Sequence, residues 1–182
     1  MRLLIASDLH GSPHSVAFLR DKAREFAPEA CLLLGDILYH GPRNPLAPDY
    51  DTLETVTLLR EFPVPIMAVR GNCDAEVDCA LLPFALPRES WLHVDGLRIF
   101  ALHGHTLLRG PLAPTPPPGT VILSGHTHVP TAHSKDGLHW WNPGSLTLPK
   151  EGSVHSYATL EDAVFRVHNR AGDVLLSHAP LA

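Results

Sequence analysis

Five short segments each set metal-competent side chains beside a glycine at the end of an apolar run. They are Asp8-Leu9-His10-Gly11, Gly35-Asp36, Gly71-Asn72-Cys73-Asp74, His103-Gly104-His105 and Gly125-His126-Thr127-His128. This restricts the chain to folds in which several strand ends meet at one place, and a shared metal site is the chemistry that explains the repetition. In an open α/β sheet, ligands gather beyond the carboxyl ends of the strands. Side chains two apart on an extended segment share a face, so Asp8 with His10, and His126 with His128, are each expected to grip one ion as a pair. Asp36 adds a carboxylate and Asn72 an amide. The glycines suit turns in which backbone approaches an ion or a phosphate too closely for a Cβ.

The surrounding pattern begins as βαβαβ. Arg2 to Ala6 reads as a buried strand, and Ser12-Pro13 opens a helix to about Phe26 with Val16, Leu19, Ala23 and Phe26 inward. Cys31 to Leu34 is a second strand. Asp51 caps a helix to about Phe62 with Leu53, Val56, Leu58 and Leu59 inward, and Pro65 to Val69 is a third strand. A short helix is expected over 75–82, after which strands dominate: 91–94, 97–102, 121–124, 138–141, 156–160, 164–168 and 174–177. Asp95-Gly96, Asp136-Gly137, Glu161-Asp162 and Ala171-Gly172-Asp173 mark turns. Pro111 to Pro118 reads as a stiff surface connection.

With 182 residues, 45% of them hydrophobic, the chain suffices for one domain over 1–182 with a substantial core. Net charge is -5, from 14 basic and 19 acidic residues, and no basic run stands out, so stable nucleic-acid binding is not expected. The amino terminus has neither the length of a signal-peptide core nor that of a membrane span, and cytoplasmic residence without membrane attachment is the expectation. Cys31, Cys73 and Cys79 are odd in number and lack C-x-x-C spacing, which argues against a disulfide framework or a structural zinc site. Imidazole and oxygen donors without a thiolate pair suit manganese, iron, nickel, cobalt or zinc, and disfavour an all-oxygen calcium site.

The ordered series Asp8-x-His10, Gly35-Asp36, Gly71-Asn72-x-Asp74, His103 and Gly125-His126-x-His128 resembles the calcineurin-like metallophosphoesterase superfamily. Residues 34–45, Val69 to Asp74 and Asn142-Pro143-Gly144-Ser145 look like its small bacterial YfcE-type phosphodiesterases. The resemblance implies a four-layer α/β/β/α sandwich with two divalent ions, manganese first among the candidates. It implies that Asp8, His10, Asp36 and His128 hold one ion, and that Asp36, Asn72, His103 and His126 hold the other. A hydroxide bridging the ions is the implied nucleophile on a phosphodiester. Two divalent ions less two carboxylates and a hydroxide leave a formal charge of about +1, which favours a small phosphodiester or nucleotide-type substrate. The same site serves a phosphomonoesterase, and the same fold serves a non-catalytic protein-interaction scaffold; these are the alternatives. Edge strands in the β-rich tail, together with oligomeric relatives, leave a homo-oligomer of unspecified order open.

Asp36, Asn72, Cys73 and His105 form the expected catalytic set. Many superfamily members carry histidine where this chain has Cys73, and a thiol with a reference pKa of about 8.5 is a weak, uncharged donor near neutrality. A dianionic monoester loses more from the missing charge than a monoanionic diester, which points to diester preference; the plain alternative is a small buried residue. His105 contacts substrate, orients a ligand or closes a turn. Arg70 either reaches a phosphate oxygen or is solvated or structurally paired, and His40 and Arg43 lie in a loop after Asp36 that either carries specificity or is ordinary surface. Asn142 shapes a turn, Asp74 orients its neighbours or caps the following helix, and the Trp140-Trp141 pair alternates between core and surface.

Overall fold

The computed structural model describes residues 1–107, 110 and 115–180. Its elements are β1 (Leu3–Ala6), α1 (Pro13–Phe26), β2 (Ala30–Leu33), α2 (Thr52–Arg60), β3 (Ile66–Ala68), α3 (Glu76–Leu81), β4 (Glu89–Val94), β5 (Leu97–Leu102), β6 (Val121–Leu123), β7 (Thr131–Lys135), β8 (Leu138–Asn142), β9 (Ser156–Glu161), β10 (Val164–Asn169) and β11 (Val174–His178).

Two mixed sheets result. The first has the order β11-β10-β9-β1-β2-β3, and the second β4-β5-β6-β8-β7. β1, β2 and β3 are parallel, as the two helical crossovers require, and β9 to β11 extend the sheet antiparallel. In the second sheet β5, β6 and β8 are parallel. The carboxyl ends of β1, β2 and β3, and of β5 and β6, therefore deliver the five polar segments. Loop ladders bind them pairwise: the Asp8 N–H donates to the Gly35 carbonyl, that of His10 to Asp36, and that of Gly125 to His103.

Inner faces of both sheets form one core, in which Leu3, Ile5 and Leu32 meet Ile99, Val121 and Leu123. Trp141 of β8 stacks on Phe165 of β10 with centroids 4.6 Å apart and planes 7° apart, a contact that adds about 1 kcal/mol to the area buried. Outside the first sheet, Leu4, Ala6 and Leu33 pack against Val16 and Leu19 of α1 and Val56 and Leu59 of α2. Outside the second, Leu107 and Trp140 cover Phe100, Leu102 and Ile122. The Trp140-Trp141 alternation holds. This is the α/β class, with the main core enclosed between two sheets. Among the described residues, no helix is long and apolar enough to cross a membrane.

Helix ends follow their caps. The Ser12 hydroxyl accepts from the Ser15 N–H, and Asp51 accepts from the Glu54 N–H. Leu53 departs from expectation and is 69% exposed; at 100° per residue it lies roughly 115° from the face carrying Thr55, Val56 and Leu59. β7 was not anticipated, since Thr-Ala-His-Ser-Lys is polar and without alternation; as an edge strand it is fixed by pairing with β8. The predicted Glu161-Asp162 turn shifts by one residue to Asp162 and Ala163, both left-handed, while Glu161 closes β9. In the proline-rich connection, Pro111 to Pro114 lies outside the described residues.

Candidate metal centre

Six of the seven proposed ligands converge. Asp8, His10 and His128 form one group of mutually close donor atoms, and Asp36, His103 and His126 form another. A third joins His10, Asp36 and Cys73. Asp36 stands between the first two, its Oδ2 being 3.4 Å from His103 Nε2 and 3.9 Å from His10 Nε2. Asn72 is exposed, lines the same cleft as Asp36 and His126, and donates through its amide to Cys73 Sγ at 3.1 Å.

The expected strand pairing is corrected here. His126 and His128 fall in different groups, because both lie beyond the end of β6 with φ of 67° and 62°. Asp8, His10 and Asp36 are also left-handed, with φ of 56°, 45° and 52°. Such conformations cost about 1–3 kcal/mol each and persist where surrounding structure imposes them. The glycines serve loop-to-loop packing: a Cβ on Gly71 would fall on the Asp36 carboxylate, and one on Gly125 on the Ser7 hydroxyl.

Tautomers follow from the partners. A carbonyl only accepts, so His10 Nδ1 donates to Tyr39 at 2.8 Å, His103 Nδ1 to Leu34 at 2.6 Å, and His128 Nδ1 to Leu148. In the neutral rings, each Nε2 then presents a lone pair inward. His10 Nε2 and His128 Nε2 face one another at 3.4 Å, and His128 Nε2 lies 3.2 Å from Asp8 Oδ1. Among the described residues, buried Asp8 Oδ1 and His103 Nε2 have no hydrogen-bond partner. Lone pairs and carboxylate oxygens pointed at each other repel unless positive charge lies among them. Burial alone would lower His103, but Asp36 and Asp8 outweigh it and lift the imidazole to about 9. The same histidine charge, with the Cys73 N–H, holds Asp36 below the carboxylate range despite its burial. Burial and the nearby His103 charge push His126 down to about 4. This donor set fits divalent metal ions.

Residues around the donors fix their aim. Ser7 Oγ and the His126 N–H donate to Asp8 Oδ2 at 2.6 and 3.0 Å, and the Cys73 N–H donates to Asp36 Oδ1 at 2.8 Å. Asp74 accepts from the N–H groups of Asp36, Ile37 and Gly71 at 2.9, 2.8 and 2.7 Å, so it clamps two loops, and Ala75 takes the cap position of α3. Asn142 donates to the Gly125 carbonyl, and Ser145 Oγ donates to that of Asp8. Ser7, Ser145 and Thr147, whose hydroxyl donates to the Leu9 carbonyl at 2.8 Å, carry roles that sequence reasoning did not assign. Ser7 had one signal, its position immediately before Asp8; the others take their roles from long-range contact.

Cys73 is half-buried, and burial together with the Asp36 charge pushes its thiol up to about 12. It holds its proton and carries no charge near neutrality. His105 lies beside the second group, with ring centroids 5.7 Å from His103 and 6.1 Å from His126. Arg43 lines the cleft over Asp36, whereas the His40 ring packs edge-on against Tyr39 and Tyr50. Arg70 Nε donates to the Asp74 carbonyl at 3.0 Å and lines a second cleft.

Known proteins resemble this chain in sequence and fold. The chain is 38% identical to phosphodiesterase YfcE of Escherichia coli K12 over 170 residues, covering 92% of this chain and 91% of that one. The solved structure of the E. coli phosphoesterase YfcE superposes with a TM-score of 0.90 at 33% identity, over 97% of this chain and 98% of that one. Zinc-complexed Vps29 from Entamoeba histolytica shares the fold, with a TM-score of 0.60 at 20% identity over 92% of this chain and 91% of that one. Residues 1–163 match the calcineurin-like phosphoesterase superfamily domain, and the chain belongs to that superfamily.

Proposed function

We propose that the protein is a metal-dependent phosphodiesterase using two divalent ions, manganese first among the candidates. The observation that carries this reading is the inward convergence of imidazole Nε2 atoms and buried carboxylates, with His10, His103 and His128 each aimed by an Nδ1–H bond to a carbonyl. Asp8, His10, Asp36 and His128 would hold one ion, and Asp36, Asn72, His103 and His126 the other. Bound there, the ions supply Lewis acidity toward phosphate oxygens and an activated water or hydroxide as nucleophile.

The chain's own residues do the rest. Asp36 joins the two groups, and Asp74 holds the loop that presents it. Ser7 and the His126 N–H keep one Asp8 oxygen occupied, so the other faces His10 and His128. Asn72 offers an amide at the cleft boundary, and His105 reaches the substrate from the side of His103. Cys73 contributes a neutral surface where an imidazolium would add charge, and a monoanionic diester needs that charge less than a dianionic monoester does. Two clefts, of about 670 and 730 Å³, open on the donor cluster and have Asn72 in common. Each has the size of a small-molecule site. A diester has two substituents to place and a monoester one.

Turnover of bis(p-nitrophenyl) phosphate and of p-nitrophenyl phosphate by manganese-loaded protein tests the reading. The diester is expected to dominate kcat/KM; strong monoester preference replaces this function with phosphomonoesterase. Failure on a broad phosphoester panel, with Asp36→Asn leaving the cellular role intact, replaces it with a protein-interaction scaffold.

A further inference from the structure

The two clefts differ in charge. Leaving aside the proposed ion ligands, the cleft over Cys73 and His126 carries Arg43 and Lys150 against one carboxylate, Glu151. The cleft beside His103 and His105 carries Arg70 and Arg88 against Glu76, Glu89 and the buried Asp74. Among the described residues, neither Arg43 nor Lys150 forms a side-chain ion pair or hydrogen bond, so both are available to a ligand.

Both cations also ride on backbone tied to the donor cluster. The Arg43 loop rests on Cys73: a Cβ on Gly41, whose φ is 77°, would come within 2.7 Å of Cys73 Sγ, and Asn44 Nδ2 closes the loop onto the His40 carbonyl at 2.7 Å. Lys150 lies on the segment that aims His128. The Ser153 hydroxyl contacts the Lys150 carbonyl at 2.6 Å and the His128 carbonyl at 3.2 Å, and the Leu148 carbonyl accepts from His128 Nδ1. Arg43 and Lys150 thus form a cationic wall of the cleft that Cys73 and His126 also line.

Resting on the phosphodiesterase reading, we propose that the substrate is an asymmetric diester. One of its arms bears a second anionic group, a phosphate in its simplest form, held by Arg43 and Lys150. The other arm, in the cleft balanced by Glu76 and Glu89, is neutral or cationic. Arginine's planar fork suits phosphate oxygens, and lysine adds a point charge.

Two diesters that differ in this group alone test the proposal: p-nitrophenyl thymidine 5′-phosphate with a 3′-hydroxyl, and the same compound with a 3′-phosphate. With manganese-loaded protein at low salt, the 3′-phosphate is expected to lower KM about tenfold, the effect of one charge-assisted contact. The KM ratio should approach one in the Arg43→Ala, Lys150→Ala double variant, persist in Arg43→Lys, and persist in Arg88→Ala. A ratio near one in the unmodified protein, or one that survives the double variant, overturns the proposal. Titration calorimetry of thymidine 3′,5′-bisphosphate against thymidine 5′-monophosphate separates the two levels of inference. Preferential bisphosphate binding that depends on Arg43 and Lys150, without turnover of any diester, keeps the anionic subsite and removes the phosphodiesterase reading. Diester turnover without either preference removes the subsite and keeps the enzyme.

Discussion

Asp36 concentrates the chemistry in one side chain. One oxygen is committed to the Cys73 N–H, and the other faces His103 and His10, one histidine from each donor group. Asp36→Asn keeps the shape and removes the charge, so diester turnover should fall on the order of 10²–10³-fold. Elemental analysis of the purified variant should show fewer than two bound ions; full occupancy with undiminished turnover would remove Asp36 from the bridging role. The candidate donors were legible as residue types because five segments repeat Asp, Asn or His beside Gly at the end of an apolar run, a recurrence that ordinary turn chemistry at any one of them does not explain. Strand periodicity alone mispaired His126 with His128, because it does not describe the left-handed backbone at Asp8, His10, Asp36, His126 and His128, whereas the family resemblance set His128 with Asp8 and His126 with Asp36, as the structure does. Cys73 was legible as a missing imidazole, while its contact with Gly41 appears only when residues 41 and 73 meet.

Between residues and fold stand the connections that hold loops and strands in place. Asp74 joins two loops, and Asp74→Ala would strand three backbone donors, those of Asp36, Ile37 and Gly71. The expected loss is at least about 3 kcal/mol in urea unfolding, because each buried donor left unpaired costs about 1–3 kcal/mol; a variant as stable as the parent would show that the clamp is dispensable. β11 is tied to the second sheet differently. Trp141 Nε1 donates to His178 Nδ1 at 3.0 Å, and His178 Nε2 meets the Ser134 hydroxyl, which also contacts His139. Burial, followed by the charges of His139 and His133, lowers the His178 pKa. The folded state therefore binds this proton less readily than the unfolded chain, whose value is about 6.5. The His178 contribution to stability is complete above that pH and is lost as pH falls through the folded value. Thermal midpoints between pH 7 and pH 5 should fall less steeply in His178→Gln than in the parent; equal slopes would place the acid sensitivity elsewhere. Strong helices and alternating strands could be read from sequence, since caps and periodicity are local. β7 could not, because its strand character comes from β8.

At the scale of the whole molecule, the donor cluster works as a seam. Asp8, His10 and Asp36 come from the first sheet's loops, and His103, His126 and His128 from the second's. Ions bound between them would oppose separation of the sheets. Manganese at 100 times its dissociation constant should stabilise the protein by about 2.7 kcal/mol, seen as a rise in thermal midpoint that chelation reverses. A midpoint indifferent to manganese would mean that the seam does not close on metal. The sequence by itself determined the α/β class, the position of the polar segments at strand ends and the donor chemistry, because these rest on periodicity, caps and residue type. Only the tertiary structure decided the left-handed turns that part His126 from His128, how Asp74 and Ser145 hold the loops, and that Arg43 and Lys150 share one cleft. Those relations join residues far apart in the chain, and only the packing of one sheet on the other sets the distances between them.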